Sequence, residues 1–488
     1  MTKNIIKNVL GQFTLEQDST LKFSNASGDF NPLHIDPVRA RRYQFGSTVI
    51  HGVCGTFKAI DCLLELIDRE ISIESIEALY NKPIRHGDVV EVVGYVPESG
   101  QGNVKLELYC NGKRSQIIKL NIIHASFSQP EVKENKVGDE SQGFSCPDMQ
   151  FEESLEMSAD VPLYWDGQLM AELFPNVSEY LPNYQACILL GLTNIVGMKC
   201  PGLNSVFGGF KVSFVQNVAE FLPSLHFSIS HSDHRFSRII MTIEHSMAQG
   251  EIEALFRAKP IQQPTFKDIK SLVSPDQFSN QTALIVGGSR GIGEITTKLI
   301  AAGGGKTILS YARGKDDAQR VVSDIRSNGG CCEAMHFDVL DAESDILKKV
   351  GNQKISHIYY FASPLIERSD AVLWNDNLYR KFCDFYLAGL TTLLEKFLVD
   401  PDYRKIGIDI FIPSTIFLED PPDGFGEYVA AKAAVEAFAM QFGKKYQAWR
   451  IATPRLPRVL TDQTASVEKD SPMKTAEIVL KNLNKLYC

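Results

Sequence analysis

The chain has 488 residues, a formal net charge of -9 at pH 7, 44% hydrophobic residues and 22% charged residues. This composition is that of a globular protein with several domains, and it excludes a membrane-spanning protein because no apolar run approaches the roughly 20 residues that a spanning helix needs. The negative charge and the lack of a long basic stripe argue against nucleic acid as the main partner, so we expect small-molecule chemistry.

The N-terminal residues and the cysteines indicate the cellular compartment. The stretch MTKNIIKNVLGQFTLEQ interrupts its apolar positions with Lys, Asn and Gln too often to form the core of a signal peptide. The ten cysteines include no C-x-x-C pair and no His at ligand spacing, which indicates reduced thiols and no metal site. We therefore expect a cytoplasmic protein.

Two polar segments, SQPEVKENKVGDESQG and AKPIQQPTFKDIKSLVSPDQFSNQ, divide the chain into three parts. Both are rich in charged residues or proline and poor in apolar alternation, as linkers are. We predict a first domain over 1–127, a linker over 128–149, a second domain over 150–258, a linker over 259–279 and a third domain over 280–488.

The first two parts share one order of elements. Each contains a long apolar helix, at about 51–67 and 182–198, followed by alternating strands such as GDVVEVVGYV and NVKLELYC, or LHFSISHS and SRIIMTIEHS. This order predicts a helix packed on an antiparallel sheet, twice.

The third part alternates strands with helices. Its strand signals are TALIVGG, KTILSYAR, CCEAMHFDV, ISHIYYFAS, GIDIFIPST and RIATPRLP. Apolar strands separated by helices predict a Rossmann-like, doubly wound parallel sheet. The predicted fold class is therefore α+β followed by α/β.

Residues 27–52 read SGDFNPLHIDPVRARRYQFGSTVIHG. This pattern resembles the signature of R-specific enoyl hydratases of the MaoC-like hot-dog family (hydratase 2). That signature joins a Gly-Asp-x-Asn-Pro-x-His core to a following acid, a Phe-Gly and a His-Gly that opens the long helix. The resemblance predicts a double hot-dog fold, with Asp29 and His34 as catalytic residues and Asn31 and Gly52 as substrate residues.

The chemistry of hydration agrees with these residue types. Adding or removing water across C2–C3 of a thioester needs one group for the C2 proton and another for the oxygen at C3. Asp29 and His34 can supply both, and which of them moves which proton is left open. The helix N-terminus at His51 and Gly52 offers backbone N–H groups to the thioester oxygen, while His51 itself is expected to be structural.

The second part contains no Asp-x-x-x-x-His and no Asn-Pro motif, and we predict that it is catalytically silent. Its Leu189 and Leu190 either line the acyl pocket or belong to the core. Two alternatives are also open for the arginines that follow the hydratase motif, Arg39, Arg41 and Arg42. They attract the phosphates of coenzyme A or an acidic acyl carrier protein, or they form an exposed helical face.

A glycine-rich turn lies between the first strand and the first helix of the third part, where a dinucleotide pyrophosphate binds. The predicted cofactor residues here are Gly287, Ser289, Arg290, Gly291, Ile292 and Gly293. No carboxylate follows the second strand to hold a ribose 2'-hydroxyl, whereas Arg290 and Arg313 can meet a 2'-phosphate. This favours NADPH/NADP, and Asp338 is expected to bind the adenine.

Downstream, Tyr428 and Lys432 are spaced to share one face of a helix, after a strand that ends in hydroxyl residues. In this context residues 280–488 resemble a short-chain dehydrogenase/reductase of the 3-oxoacyl (ketoacyl) reductase type. The resemblance implies that Tyr428 donates a proton, and that Lys432 holds the nicotinamide ribose and lowers the pKa of Tyr428. The hydroxyl that orients the carbonyl is Thr415 by the family's spacing and Ser414 by residue type.

The sequence departs from that family at three places. The segment Phe361–Pro364 replaces Asn-Ala-Gly, and Tyr386 stands where an Asn usually precedes Gly389. Both weaken the proton relay. The printed sequence also stops after TAEIVLKNLNKLYC, without the family's last strand and Gly-Gly tail, which puts the usual tetramer contacts in doubt.

Together these patterns predict a bifunctional enzyme of fatty-acid or polyketide-like biosynthesis. It would reduce 3-oxoacyl thioesters to (3R)-hydroxyacyl thioesters and dehydrate them reversibly to trans-2-enoyl thioesters, on coenzyme A or acyl carrier protein. One alternative is a degradative (R)-3-hydroxyacyl-CoA dehydrogenase with enoyl-CoA hydratase activity. Another is a partly inactive scaffold or thioester-binding module of a synthase complex. We also expect self-association into a homo-oligomer.

Overall fold

The computed structural model of the chain describes residues 5–124, 130–138, 145–215, 220–465 and 470–486. The chain divides into two compact units, Met1–Ala258 and Lys259–Cys488. The two hot-dog parts predicted from the sequence thus belong to one unit. Of the linker predicted between them, residues 128–129 and 139–144 lie outside the described residues. None of the helices in the described ranges is long and apolar enough to cross a bilayer.

A single antiparallel sheet is the framework of the first unit. Its strands in the described residues are β1 (Ile5–Thr14), β2 (Ile71–Tyr80), β3 (Val89–Pro97), β4 (Gly102–Cys110), β5 (Lys113–His124), β6 (Ser158–Pro162), β7 (Ser205–Phe214), β8 (Ser224–Asp233), β9 (Arg238–His245) and β10 (Ala248–Phe256). Their spatial order is β1-β3-β4-β5-β2-β7-β10-β9-β8-β6.

The two halves of this unit meet where β2 pairs with β7. The pairing is antiparallel and runs from Ser75 opposite Ser213 to Leu79 opposite Gly209. The halves therefore share one continuous hydrogen-bonded sheet, and each half contains a long helix and antiparallel strands, as the sequence predicts.

The helices of the first unit are α1 (Gln17–Ser27), α2 (Pro32–Ile35), α3 (Pro37–Ala40), α4 (Gly52–Ile67), α5 (Phe151–Ser154), α6 (Gly167–Leu173), α7 (Pro175–Tyr180) and α8 (Asn183–Asn194), the last continued by a π-helical turn, Ile195–Lys199. Every residue of α8 from Tyr184 onward is buried. A helix that is apolar on all sides lies inside a protein rather than on its surface. This central position brings the end of α8 to the catalytic motif of the other half.

The second unit is built on a parallel sheet. Its strands are β11 (Thr282–Val286), β12 (Lys306–Tyr311), β13 (Cys331–His336), β14 (His357–Tyr360), β15 (Asp409–Phe411), β16 (Ser414–Thr415), β17 (Arg450–Ala452) and β18 (Arg455–Leu456). Six of them form the main sheet in the order β13-β12-β11-β14-β15-β17, with all described pairs parallel. The predicted doubly wound fold is confirmed.

The helices of the second unit lie between these strands, apart from one that precedes the sheet and one that follows it. They are α9 (Phe266–Lys270), α10 (Gly291–Ala302), α11 (Lys315–Ser327), α12 (Ile346–Val350), α13 (Asp376–Cys383), α14 (Gly389–Val399), α15 (Pro401–Ile406), α16 (Gly426–Lys445) and α17 (Pro472–Leu483).

The segment 259–279, predicted as a linker, is instead part of the second unit. Phe266 and Ile269 of α9 are almost fully buried, as is Phe278 beyond it. The buried Lys298 of α10 donates a hydrogen bond to the backbone oxygen of Pro264 at 2.7 Å. The polar composition of the segment concealed a few apolar positions that are enough to attach it to the core.

Replacing Phe266 with Ala tests this attachment. Removing a buried phenylalanine side chain costs about 3–5 kcal/mol of unfolding free energy, so the transition of the second unit should shift to lower temperature in scanning calorimetry of the full chain. The matched control is Lys267→Ala on the exposed side of the same helix, which should leave the transition in place. Equal transitions for the two variants would show that the segment is a linker.

Candidate active sites

The turn after α1 places Asp29. The helix ends at Gly28, whose φ of 75° is left-handed and whose N–H bonds to the Ser24 oxygen at 2.8 Å. A Cβ at Gly28 would lie 2.5 Å from the Tyr164 ring and 2.7 Å from the Asn194 amide, so only glycine fits this turn. The chain therefore reverses tightly against the second half, and Asp29 follows at once.

Asp29 is buried with 1% of its surface exposed. Its Oδ1 accepts a hydrogen bond from the Asn31 backbone N–H at 3.1 Å, and its Oδ2 accepts one from the Thr193 hydroxyl at 2.7 Å. Burial raises the pKa of Asp29 to about 7, against the opposing effect of these two donors. A carboxyl group with this pKa can either accept or donate a proton near neutral pH.

His34 is placed by α2, which Asn31 caps by accepting a hydrogen bond from the Leu33 N–H at 3.0 Å. The His34 Nδ1–H donates to the Val49 backbone oxygen at 2.8 Å, which leaves Nε2 as the acceptor of the ring. Burial lowers the pKa of His34 to about 4. The ring is therefore neutral at pH 7 and has one basic nitrogen available.

His51 lies beneath His34, with the two ring centres 3.7 Å apart. It is fully buried, and its Nε2–H donates to the Asp29 backbone oxygen at 3.1 Å. Ligating atoms of Asp29, His34 and His51 lie within 4.8 Å of one another, close enough for the three side chains to hold a metal ion. We interpret the cluster as a proton-transfer site, because burial keeps the His34 ring neutral and raises the pKa of Asp29 to about 7.

Asn31, which the sequence predicts as a substrate residue, lies in the protein interior. Its amide Nδ2 donates to the backbone oxygens of Gly197 at 3.2 Å and Gly202 at 2.9 Å. Both acceptors belong to the second half. These contacts give Asn31 a positioning role, since it fastens the catalytic turn to the π-helical turn and to the loop that follows it.

A cavity of about 220 Å³ opens beside Asp29 and His34. Gly52, the other predicted substrate residue, lines it at the first residue of α4. Strand β7 of the second half contributes Val206 and Phe207. Leu189 and Leu190 are not among the lining residues and are buried in the core.

Several residues that position the catalytic motif come from the second half and carry no motif of their own. Thr193 bonds to Asp29, and Asn194 donates to the Gly28 oxygen at 2.8 Å. A Cβ at Gly197 would lie 2.1 Å from the Asp29 Oδ1, so a side chain there would displace the carboxylate. The signal in the sequence that could identify these residues is the presence of polar and small residues inside an otherwise apolar helix.

Arg257 makes a similar connection at the end of the first unit. Its guanidinium lies 3.9 Å above the Tyr43 ring and donates to the Ser205 backbone oxygen at 2.9 Å. The segment after His34 is therefore stacked on the second half. Of the three arginines of this segment, Arg39 lies 3.5 Å from the Asp36 carboxylate and Arg41 donates to the Val38 oxygen at 3.0 Å.

The predicted dinucleotide turn lies between β11 and α10. Gly291, the first residue of α10, has a φ of 57°, and a Cβ at Gly293 would lie 2.2 Å from the Gly287 oxygen. Glycine is required at both positions, so the turn stays narrow and presents the N-terminus of α10 without side chains. This geometry fits a pyrophosphate. Ser289 is buried in the turn and Ile292 is partly buried.

The other predicted cofactor residues lie at the same edge of the sheet, because β11, β12 and β13 are adjacent and parallel. Arg290 is 28% exposed and lies 3.7 Å from the Asp462 carboxylate. Arg313 follows β12 and is exposed. Asp338 follows β13, and its carboxylate accepts from the Leu340 N–H at 3.0 Å.

Tyr428 and Lys432 lie one turn apart on α16, as expected from their spacing. The Tyr428 hydroxyl bonds to Thr415, and the Lys432 ammonium donates to the Pro413 oxygen at 2.8 Å. Ser414 instead donates to Glu436 at 2.5 Å. Of the two hydroxyls predicted as alternatives, the geometry therefore places Thr415 beside Tyr428.

Burial acts on both members of the Tyr428–Lys432 pair. It raises the pKa of Tyr428 to about 12 and lowers the pKa of Lys432 to about 7. Burial of the phenol thus outweighs the lowering of the Tyr428 pKa that the sequence predicts, because a group held away from water disfavours its charged form. Tyr428 is a protonated donor in this environment.

Tyr386, the departure noted in the sequence, fills the space beneath Lys432. The ammonium lies 4.0 Å from the centre of the Tyr386 ring, and the Tyr386 hydroxyl is 2.7 Å from that of Ser363. A cation above an aromatic face is stabilised by about 0.5–2 kcal/mol. Ser363 and Tyr386, which both depart from the family pattern, therefore contact each other through their hydroxyl groups.

Each of the two units is similar to a known protein family. The family model for the short chain dehydrogenase matches residues 281–472, and the model for the MaoC like domain matches residues 4–110. A 3-oxoacyl-(acyl-carrier-protein) reductase of Synechocystis sp. is 33% identical over 171 residues, which are 34% of this chain and 68% of that protein. The enzyme of the same name from Staphylococcus epidermidis is 29% identical over 164 residues, 32% of this chain and 65% of that protein.

A solved alcohol dehydrogenase of the archaeon Thermococcus sibiricus, in complex with 5-hydroxy-NADP, matches 42% of this chain and 90% of its own, with 22% identity and a TM-score of 0.37. The two family models confirm the resemblances found in the sequence at both ends of the chain. The chain belongs to the short-chain dehydrogenase family through its C-terminal unit and has a MaoC-like domain at its N-terminus.

Proposed function

We propose that the protein is a bifunctional acyl-thioester enzyme. Its second unit would reduce a 3-oxoacyl thioester to the (3R)-hydroxyacyl thioester with NADPH, and its first unit would interconvert this alcohol and the trans-2-enoyl thioester. The observation that supports it best is the buried Asp29 beside the neutral His34 at a cavity, in one chain with the Tyr428–Lys432 pair. Both sites handle the same 3-hydroxyacyl intermediate.

In the first unit, Asp29 and the free Nε2 of His34 each carry out one of the two proton transfers. One group handles the proton at C2 and the other handles the proton of the water or hydroxyl at C3. The N-terminus of α4 at Gly52 lines the same cavity, and its partial positive charge stabilises the thioester oxygen as negative charge develops there.

In the second unit, NADPH supplies the hydride when it is bound. Tyr428 donates its phenolic proton to the alkoxide oxygen that forms at C3, and Thr415 orients the carbonyl. Lys432 stabilises the resulting phenolate by its charge, and the Tyr386 ring and the Pro413 oxygen hold its ammonium in place. Reduction with NADPH favours the biosynthetic direction.

The two activities should separate by single substitutions. Tyr428→Phe is expected to stop NADPH oxidation with 3-oxoacyl thioesters and to leave hydration of enoyl thioesters unchanged, because it removes only the proton donor of the second unit. Asp29→Asn is expected to do the opposite. Both are measured on the full chain, by absorbance of NADPH and of the enoyl thioester, with coenzyme A and carrier-protein substrates of graded length.

Each variant is the other's control for folding. Failure of the unmodified protein to turn over any such thioester in either assay would favour the scaffold function instead.

The Thr193 hydroxyl should set the pH dependence of hydration. It stabilises the ionised form of Asp29, so Thr193→Val removes this donor and raises the Asp29 pKa further above its value of about 7. A hydrogen bond to a charged group contributes about 1.5–3 kcal/mol, which corresponds to a shift of about 1–2 pH units.

The pH profile of kcat/KM measures this shift and the role of Asp29 together. If the carboxylate acts as a base, activity falls as pH drops through the Asp29 pKa, and this limb moves to higher pH in Thr193→Val. If the carboxyl acts as an acid, the limb at which activity falls with rising pH moves in the same direction. Thr193→Ser keeps the hydroxyl and should keep the profile; an unshifted profile in Thr193→Val contradicts the assignment.

Arg313 should select the phosphorylated cofactor. We expect Arg313→Ala to raise the KM for NADPH about 10- to 100-fold and to leave the KM for NADH unchanged, since a charge-assisted bond to the 2'-phosphate is lost. Lys315→Ala, an exposed neighbour of the same charge, is the matched control. Tight binding of NAD+ with negligible binding of NADPH would favour the degradative alternative.

A further inference from the structure

Tyr80, the last residue of β2, forms one side of the cavity beside Asp29. Its side chain is partly exposed and lines the cavity, so a bound molecule can contact it. The same side chain also packs against the hydrophobic core of the first unit. Tyr80 therefore lies between the space that is open to a ligand and the space that the core fills.

The Tyr80 ring lies along the first turn of α4. At the start of this turn, a Cβ at Gly52 would lie 2.8 Å from the ring, so the ring packs directly against the glycine. At the end of the turn, the Tyr80 hydroxyl is 3.1 Å from the hydroxyl of Thr56, which is 1% exposed. Gly52 and Thr56 are four residues apart, a distance of about 6 Å along a helix. The ring thus occupies the groove beside α4 from the cavity to the buried Thr56.

This groove exists because α4 begins with residues that have no bulky side chain. Gly52 and Gly55 are three residues apart and share one face of the helix. A Cβ at Gly55 would lie 2.6 Å from the amide of Gln116, which fills the groove beside this second glycine. The side chains of the sheet, and not those of the helix, therefore decide how far the cavity reaches along α4. Removing the Tyr80 ring would extend the cavity from Gly52 toward the interior.

Tyr80 is held in this position by packing as well as by its hydroxyl. The Phe207 ring packs edge-on against the Tyr80 ring at 5.2 Å, and the centre of the buried Phe210 ring is 6.4 Å away. Both phenylalanines belong to β7 of the second half. Turning the Tyr80 ring aside would break the hydroxyl contact to Thr56 and these ring contacts together. The wall that Tyr80 forms is therefore fixed.

We propose that Tyr80 sets an upper limit on the acyl chain length in the first unit, so that the hydratase site accepts short acyl chains and excludes long ones. The proposal rests on the hydratase function proposed above, in which the thioester oxygen lies at the N-terminus of α4, beside Gly52 and the Tyr80 ring. A chain that extends from there along α4 meets the ring. The cavity of about 220 Å³ is also smaller than typical ligand pockets of about 300–1,000 Å³.

The test measures hydration of crotonyl, hexenoyl, octenoyl and decenoyl thioesters by the full chain, on coenzyme A and on carrier protein. For the unmodified protein we expect kcat/KM to fall steeply as the chain becomes longer. Tyr80→Ala opens the groove beside α4. It should raise kcat/KM for the decenoyl thioester, relative to the crotonyl thioester, by about 10- to 200-fold, the range that a single methylene group accommodated in an apolar pocket contributes.

Tyr80→Phe is the matched control, because it keeps the ring and removes only the hydroxyl group. It should keep the length preference of the unmodified protein. Val206→Ala is a second control, since Val206 lines the same cavity from β7 and does not fill the groove beside α4. A gain for long chains in Val206→Ala as large as that in Tyr80→Ala contradicts the assignment to Tyr80. Tyr80→Leu removes less of the side chain and replaces Tyr80→Ala if that variant does not hydrate the crotonyl thioester.

The length limit and the hydratase function fail in different ways. If the unmodified protein hydrates the decenoyl thioester as efficiently as the crotonyl thioester, or if the smaller side chains at Tyr80 leave the length preference unchanged, the limit is overturned and the hydratase function stands. If the unmodified protein hydrates none of the thioesters, the hydratase function fails. The limit is then measured by calorimetry with butanoyl and decanoyl thioesters: a ratio of dissociation constants that shifts toward decanoyl in Tyr80→Leu supports it, and an unchanged ratio contradicts it.

Discussion

A carboxyl group held away from water is the constraint around which the first unit is organised. Asp29 is exposed by only 1%, and a buried carboxylate is strongly disfavoured unless donors compensate it. The backbone N–H of Asn31 and the hydroxyl of Thr193 supply two such donors. Burial outweighs this compensation, and a pKa of about 7 is the result.

The second half of the first unit lacks the catalytic motif, and its contacts explain why it nevertheless belongs to the site. It supplies Thr193 to the carboxylate and leaves room for it at Gly197. It also accepts both amide hydrogen bonds of Asn31 and stacks Arg257 on Tyr43. The second half thus supplies contacts that hold the turn of Asp29 in the other half in place.

The sequence predicts the order of elements well, because strands and helices leave a periodic pattern and the glycine-rich turn and the Asp29–His34 spacing are local features. It does not predict Thr193 or Asn194, since each contacts a residue far away in the chain and neither belongs to a motif. It also gave the wrong direction for the Tyr428 pKa, because the spacing to Lys432 is visible in the sequence but the burial of both is not. The sequence also does not show that the segment 259–279 belongs to the second unit, since its four buried apolar residues are few against its polar background.

The pairing of β2 with β7 has a consequence for how the hydratase site assembles. Many sites formed across two similar domains are completed by association of separate chains, and such sites disappear on dilution. Here both halves lie in one covalent chain and one sheet, so the partner is always present at a fixed effective concentration. The association of the two halves that completes the site is therefore intramolecular and first order in protein, whatever the oligomeric state of the whole molecule.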